Sequence, residues 1–96
     1  MSDPILYKFR LYVAGDTQNS VEARSNLAAF CLCYLPKSHE IEIVDVFLEP
    51  KRALADGIFM TPTLMKLTPN PILRIIGTLN NPLPLLRSFG LEAASV

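Results

Sequence analysis

The sequence predicts a single α/β domain over residues 1–96, with strands and helices in the order β-α-β-α-β-β-α. Three observations support this prediction. The chain has 96 residues, which provides for one hydrophobic core and no more. Half of its residues are hydrophobic and only 19% are charged, so the chain is able to bury a core. Along the chain, segments in which every second residue is apolar, as in strands, alternate with segments in which every third or fourth residue is apolar, as in helices.

The first half of the chain predicts a strand, a long helix and a second strand. Residues 5–13 alternate between apolar and polar side chains, as in a strand with one buried face. A helix is predicted over residues 18–35, because apolar side chains recur every three or four positions and Pro36 follows. The apolar positions of this helix are Ala23, Leu27, Phe30 and Tyr34. Residues 28–35 are apolar nearly all round, so this end is expected to be the more deeply buried.

The second strand is predicted over residues 40–47, and its second half is apolar on both faces, as in a strand buried on both sides. Two strands joined by a long helix predict a parallel pair with a right-handed crossover. The second half of the chain then predicts a short helix, two strands and a last helix. In order, these span residues 50–56, 63–67, 72–76 and 81–90. Gly57 ends the short helix, and Asn81 caps the last helix, which Gly90 ends.

This order of elements is that of thioredoxin-like domains, in which a parallel pair and an antiparallel hairpin share one sheet. Thr61, Pro62 and Thr63 strengthen the prediction, because this fold has a cis-proline loop just before its third strand. A redox thioredoxin needs a thiolate of low pKa at the start of the first helix. Residues 14–20 contain no cysteine. The residues alone therefore favour a domain that binds other molecules rather than an enzyme.

Other candidate chemistry is weak. Cys31 and Cys33 are the two cysteines, and they lie in an apolar stretch where burial is expected to raise the thiol pKa. A thiol oxidoreductase that uses one of them is the alternative function. Ser20 would need a nearby base to act as a nucleophile. Asp45, which has apolar neighbours, is expected to pair with Lys66 or Arg74. We predict no catalytic residue, cofactor or metal ligand.

Charge and hydropathy limit the classes of partner. Nine basic residues balance nine acidic ones, which argues against a nucleic-acid-binding protein. The longest apolar run, residues 27–35, is too short to span a membrane, and no targeting segment is visible, so a cytoplasmic protein is expected. The mean hydropathy of +0.29 indicates apolar surface that faces a partner, either another protein or a second copy.

Four segments resemble the KaiB family of circadian clock proteins: residues 11–20, 43–46, 60–64 and 74–77. The sensor domain of the clock-output histidine kinase SasA is similar too. The motif residues within these segments are Gly15, Thr17, Asn19, Ser20, Thr61, Pro62, Thr63 and Gly77. The chain departs from clock members at Gln18, where they usually have proline, at Gly57, where they have lysine, and at Thr78, where they have aspartate.

The resemblance implies a non-enzymatic adaptor that binds the ring of the ATPase KaiC, modulates its phosphorylation cycle and, in full clock systems, sequesters KaiA. A family member that serves a KaiC-like ATPase in stress adaptation, without a clock role, is an alternative. The resemblance also implies self-association to a dimer or tetramer. Family members switch between a thioredoxin-like state and a tetrameric ground state with a rearranged C-terminal half, which would begin after about Pro50.

Family position, together with exposed charge next to apolar surface, predicts seven residues that contact the partner. Five lie near the second helix and two on the sheet. They are Phe47, Lys51, Arg52, Asp56 and Ile58, and then Lys66 and Arg74.

Overall fold

The computed structural model describes residues 5–88, which form a four-stranded sheet with helices on both of its faces. The elements are β1 (Tyr7–Val13), α1 (Gln18–Tyr34), β2 (His39–Asp45), α2 (Pro50–Ala55), β3 (Thr63–Thr68), β4 (Leu73–Ile76) and α3 (Leu83–Ser88). This order is the predicted one. The thioredoxin-like prediction is therefore confirmed, while the rearranged C-terminal half stays a prediction.

The sheet has the strand order β2-β1-β3-β4. β1 pairs in parallel with β2 and antiparallel with β3, and β4 completes an antiparallel hairpin with β3. β2 and β4 are therefore the edges. The expectation that β2 is buried on both faces is wrong, because Val44 is buried but Ile43 is 38% exposed. An edge strand has a neighbouring strand on one side only, which leaves part of it open to solvent.

Successive residues of β1 point to opposite faces of the sheet, and the two faces differ in composition. On the α1 face, a large apolar core joins the sheet to α1 and α3. Its buried residues are Phe9, Leu11, Val13, Ala23, Leu27, Phe30, Cys31, Leu35, Leu64 and Leu85. On the α2 face, the buried cluster is smaller, and it consists of Tyr12, Val44, Ala53 and Met65.

The second half of α1 differs from the prediction. Leu32 is 66% exposed, Tyr34 is 45% exposed and Cys33 also faces solvent. With 3.6 residues per turn, Leu32 and Cys33 point away from the buried face of α1. Tyr34 lies one turn after Phe30, and their ring centroids are 4.7 Å apart at the exposed end of the helix. An apolar run alone did not distinguish the buried side of this helix from its exposed side.

Local signals at the ends of the two short helices are confirmed. Gly57 follows α2 with a φ of +68°, a conformation that glycine adopts without steric strain. The Leu83 amide donates a hydrogen bond to Asn81 Oδ1 at 3.1 Å, so Asn81 caps α3. The predicted end of this helix at Gly90 lies outside the described residues. Within residues 5–88, no helix combines the length and apolar character that a membrane crossing requires.

Candidate functional site

Three loops meet where the strands end on one side of the sheet, and we call this row of strand ends the loop edge. Val13 pairs with Asp45 at the carboxyl ends of the parallel strands β1 and β2, and Tyr12 pairs with Thr63 at the start of the antiparallel β3. The loops after β1 and β2 and the loop before β3 therefore share this edge. Loops at the carboxyl ends of parallel strands commonly carry the functional site of α/β proteins.

The loop between β1 and α1 is held by hydrogen bonds and contains no thiol. Ser20 is fully buried, and its Oγ accepts hydrogen bonds from the Ala14 amide at 3.0 Å and from the Thr17 hydroxyl at 2.9 Å. Gly15 has a φ of +55°, and a Cβ built on it would lie 3.7 Å from the Phe47 ring. Ser20 therefore ties the loop to the helix, and no base is among its hydrogen-bond partners.

The loop before β3 has the geometry that the sequence motif predicts. The Thr61–Pro62 peptide bond is cis, and Pro62 is buried. Thr63 Oγ1 donates to the Met60 carbonyl at 2.6 Å, and the Gly77 amide donates to the Pro62 carbonyl at 3.0 Å. A shallow cleft of about 420 Å³ separates this loop from the start of α1. Its lining residues are Ala14, Thr17, Gln18, Asn19 and Thr61.

Large apolar side chains are exposed before, on and after α2. Phe47, Leu48, Leu54, Phe59 and Met60 are 71%, 79%, 74%, 90% and 61% exposed, respectively. We call these five residues and Lys51 the α2 surface. Lys51 is exposed and has no ion pair within residues 5–88. Monomeric proteins rarely expose so many large apolar side chains near one helix, and such surfaces commonly contact other proteins.

Sequence reasoning missed four residues of the α2 surface, namely Leu48, Leu54, Phe59 and Met60. A signal for two of them was available. Residues 58–60 form an apolar run between the end of α2 and the Thr61–Pro62 turn, with the period of neither a helix nor a strand. An apolar run in a loop has no core face to occupy, so it indicates exposure. The exposure of Leu54 could not be predicted from the sequence, because it depends on which side of α2 packs against the sheet.

Asp56 faces inward and is held from β1. The Tyr12 hydroxyl donates to Asp56 Oδ2 at 2.5 Å, and Arg10 Nη1 donates to the same oxygen at 2.9 Å. These bonds, led by that from Tyr12, lower the pKa of the Asp56 carboxyl. Burial raises the pKa of Tyr12, and its bond to Asp56 raises it further. The carboxylate therefore anchors the end of α2 to the sheet.

Glu42 extends this group of charges along β2. Its two carboxylate oxygens contact Arg10 and Arg52, each at 2.8 Å. Hydrogen bonds from Arg10 and then Arg52 lower the pKa of Glu42. Arg52 also contacts Glu49 at 3.3 Å. Arg52 and Asp56, which the sequence predicts as partner contacts, are thus both engaged within the chain.

Arg74 reaches from β4 to the end of α2. Its Nη1 donates to the Gly57 carbonyl at 3.2 Å, and its Nη2 donates to the Asp56 carbonyl. Beside it, a cleft of about 330 Å³ opens between the end of α2 and β4. Its lining residues are Gly57, Ile58, Phe59, Met60, Thr63, Arg74 and Ile76. The side chain of Ile58 is half-buried against the apolar cluster of the α2 face.

The exposure expected for Lys66 and the ion pair expected for Asp45 are wrong, while contact of Lys66 with a partner stays a prediction. Lys66 is 4% exposed and pairs across the sheet with Phe9 and Leu73, so it lies on the α1 face, away from the α2 surface. Burial lowers its pKa. Asp45 contacts neither Lys66 nor Arg74. Its Oδ1 accepts a hydrogen bond from the Phe47 amide at 2.9 Å, because a carboxylate at the end of a strand meets the next turn first.

The cysteines lie far from the loop edge, in the last turns of α1. Cys31 is buried, and burial raises its thiol pKa to about 11. Cys33 is exposed, so the expectation that both thiols are buried is wrong for this residue. Neither stands at the start of a helix, where a redox thiolate is stabilised. Among the described side chains, His, Cys, Asp and Glu form no group that could hold a metal ion.

Solved structures define the class of the domain. The N-terminal domain of Synechococcus elongatus SasA matches with a TM-score of 0.77 at 12% identity, over 98% of this chain and 90% of that one. Chloroplastic thioredoxin z matches with a TM-score of 0.74 at 16% identity, over 92% of this chain and 80% of that one. The chain is therefore a thioredoxin-like domain, in which the loop after β1 has no cysteine.

Sequence comparison defines the family. The KaiB domain model matches residues 10–86. The circadian clock protein KaiB3 of Synechocystis sp. is 40% identical over 72 residues, which are 75% of this chain and 71% of that protein. The clock oscillator protein KaiB of Synechococcus elongatus is 40% identical over 81 residues, which are 84% of this chain and 79% of that protein. The chain belongs to the KaiB family.

Proposed function

We propose that this chain is a KaiB-like adaptor, a non-enzymatic protein that binds the ring of a KaiC-type ATPase and modulates its phosphorylation cycle. The observation that carries this proposal is the α2 surface, where five large apolar side chains are exposed before, on and after the helix that contains Lys51. Membership of the KaiB family supports the choice of partner. KaiA, recruited to the resulting complex, and further copies of this chain are the other partners of the proposal.

The composition of the α2 surface fits a protein interface. Phe47, Phe59 and Met60 are of types that are enriched in interface cores, where a few well-packed side chains supply most of the binding energy. Lys51 would lie at the rim of such a contact, where charge mainly affects the association rate. Among the described residues, Ser20, Asp56 and Glu42 are engaged in structural hydrogen bonds, which does not favour a competing catalytic function for them.

Binding to the KaiC-type ATPase of the same organism tests the proposal. The two purified proteins are incubated with ATP for several hours and then separated by size exclusion. We expect the wild-type chain to elute with the ATPase. The Phe59→Ala variant should bind at least about tenfold more weakly, because removal of a central apolar anchor commonly costs more than 1 kcal/mol. Lys51→Glu should mainly slow association.

Matched control variants lie outside the α2 surface. Leu32→Ala removes an exposed apolar side chain of α1, and Lys37→Glu reverses a charge in the loop before β2. Both should bind within about twofold of wild type, since surface changes outside an interface have small effects. Failure of the wild-type chain to elute with the ATPase after several hours would refute the proposal. Equal losses in the control variants would refute the location of the site.

A further inference from the structure

The position of α2 depends on contacts with the sheet. The helix has six residues, of which only Ala53 is buried. A helix this short is unstable by itself, so its position must come from tertiary contacts. β1 supplies one contact through the Asp56 carboxylate, which accepts hydrogen bonds from Tyr12 and Arg10.

Arg74 supplies a second contact from β4, an edge strand of the sheet. Its guanidinium donates to the backbone carbonyls of Asp56 and Gly57, which end α2. The carbonyls at a helix end lack partners within the helix and carry partial negative charge, so a cation is stabilising there. Asp56 is thus held by β1 through its side chain and by β4 through its backbone.

The residues that follow this contact belong to the α2 surface. Ile58 turns inward, while Phe59 and Met60 are the next two residues and are exposed. The direction in which the chain leaves Gly57 therefore sets where both side chains point. We propose that Arg74 is a positioning residue, which holds the end of α2 and thereby orients Phe59 and Met60 for the partner. This inference rests on the proposed function, and it changes the role of Arg74 from direct contact to support.

Substitution by lysine separates the two roles. Lysine keeps the positive charge, but its single ammonium does not reproduce the planar fork that reaches two carbonyls at once. A residue that acts by charge alone would tolerate Arg74→Lys, whereas a positioning residue would not. Arg74 is exposed, so its replacement leaves the buried core unchanged. Arg24, an exposed arginine of α1, provides the matched control.

Amide hydrogen exchange of the chain without its partner tests the positioning role directly. The amides of Asp56, Gly57 and Ile58 donate to carbonyls of α2 at 3.1, 3.0 and 2.9 Å, so they report on this helix end. We expect Arg74→Ala and Arg74→Lys to speed their exchange about tenfold, the effect of losing a hydrogen bond to a charged group. Amides of β1 should be unaffected, and Arg24→Ala should change neither set.

Affinity for the KaiC-type ATPase is the second readout, and both Arg74 variants should bind about tenfold more weakly. Unchanged exchange in Arg74→Ala would overturn the positioning role. Wild-type affinity of Arg74→Lys, despite faster exchange, would also overturn it, because charge alone would then suffice. If the wild-type chain does not bind the ATPase, the proposed function fails, and the exchange data still decide whether Arg74 holds α2.

Discussion

The two faces of the sheet are stabilised in different ways. On the α1 face, a helix of 17 residues covers a continuous apolar core. On the α2 face, a helix of six residues buries one alanine and is held mainly by hydrogen bonds and ion pairs from β1, β2 and β4. The stability gained from apolar burial does not depend on pH, whereas the stability gained from hydrogen bonds to carboxylates does. The candidate binding surface thus belongs to the face that acid is expected to weaken.

Removing apolar volume from the α1 face should have the largest effect. Leu27 is fully buried in the core of this face. We expect Leu27→Ala to lower the free energy of unfolding by about 2.5 to 5 kcal/mol, measured by urea denaturation, because it leaves a cavity. Leu32→Ala, on the exposed side of the same helix, should change it by less than about 0.5 kcal/mol. Similar losses in both variants would contradict the assigned orientation of α1.

Removing one hydroxyl from the α2 face should have an intermediate effect. Tyr12→Phe deletes the donor to Asp56 and keeps the buried ring. We expect a loss of roughly 1.5 to 3 kcal/mol in urea denaturation, the range for a hydrogen bond to a charged group. Tyr34→Phe removes the same hydroxyl from a ring that is 45% exposed, and it should be neutral. A neutral Tyr12→Phe would show that this bond does not hold α2.

Acid should weaken the α2 face before the α1 face. The pKa values of Asp56 and Glu42 are lowered in the folded chain. Their contribution to stability is therefore present above their unfolded pKa values, near 4, and is lost as pH falls through the lower folded values. Arg10, Tyr12 and Arg52 face these carboxylates, and the charge of Arg74 also acts on Asp56.

Urea denaturation between pH 7 and pH 3 measures this loss. Asp56→Asn should start from lower stability and lose less of it on acidification, since one titrating group is gone. Asp16→Asn, which alters a carboxylate in the exposed loop after β1 and outside this group of charges, is the matched control. The same slope in wild type and Asp56→Asn would contradict the anchoring role of this carboxylate.

Thiol labelling should show the smallest effect, because it compares how accessible the two cysteines are and does not require a change in the stability of the chain. Cys33 is exposed, whereas Cys31 is buried on the α1 face with a thiol pKa of about 11. In native buffer near pH 8, we expect a disulfide reagent to modify Cys33 and to reach Cys31 only after unfolding. The Cys33→Ser variant should then show no fast labelling. Rapid native labelling of Cys31 would reopen the thiol oxidoreductase alternative.

The element order could be predicted from the sequence because its signals are local. Pro36, Gly57 and Asn81 stand at the ends of helices, and strands and helices differ in their apolar period. Boundaries moved by a few residues, as at β1, which begins at Tyr7. The prediction of buried and exposed side chains failed where burial depends on which other element packs against the residue. An apolar run in the sequence does not contain that information. Ile43 at the sheet edge and Leu32 on the outer side of α1 are examples.

The residues of the candidate site were also predicted only in part. Phe47 and Lys51 are exposed as expected, since a loop and a short helix after a strand are commonly at the surface. Arg52, Asp56 and Arg74 form internal contacts that join residues 10 to 46 positions apart in the chain, so the sequence pattern contained no sign of them. Lys66 was misplaced because a lysine is rarely buried without a partner.

That buried lysine also has a consequence for how far the stability of this chain can be raised. The side chain of Lys66 has no ion pair or hydrogen bond within residues 5–88, and its burial removes water from part of the side chain and lowers its pKa, which carries a free-energy cost. Because its pKa is lowered on folding, the cost is full at neutral pH and declines as alkaline pH removes the proton. Natural selection does not maximise stability. Lys66→Met, which keeps the length of the side chain and deletes the charge, is the first substitution to make in a thermostable variant.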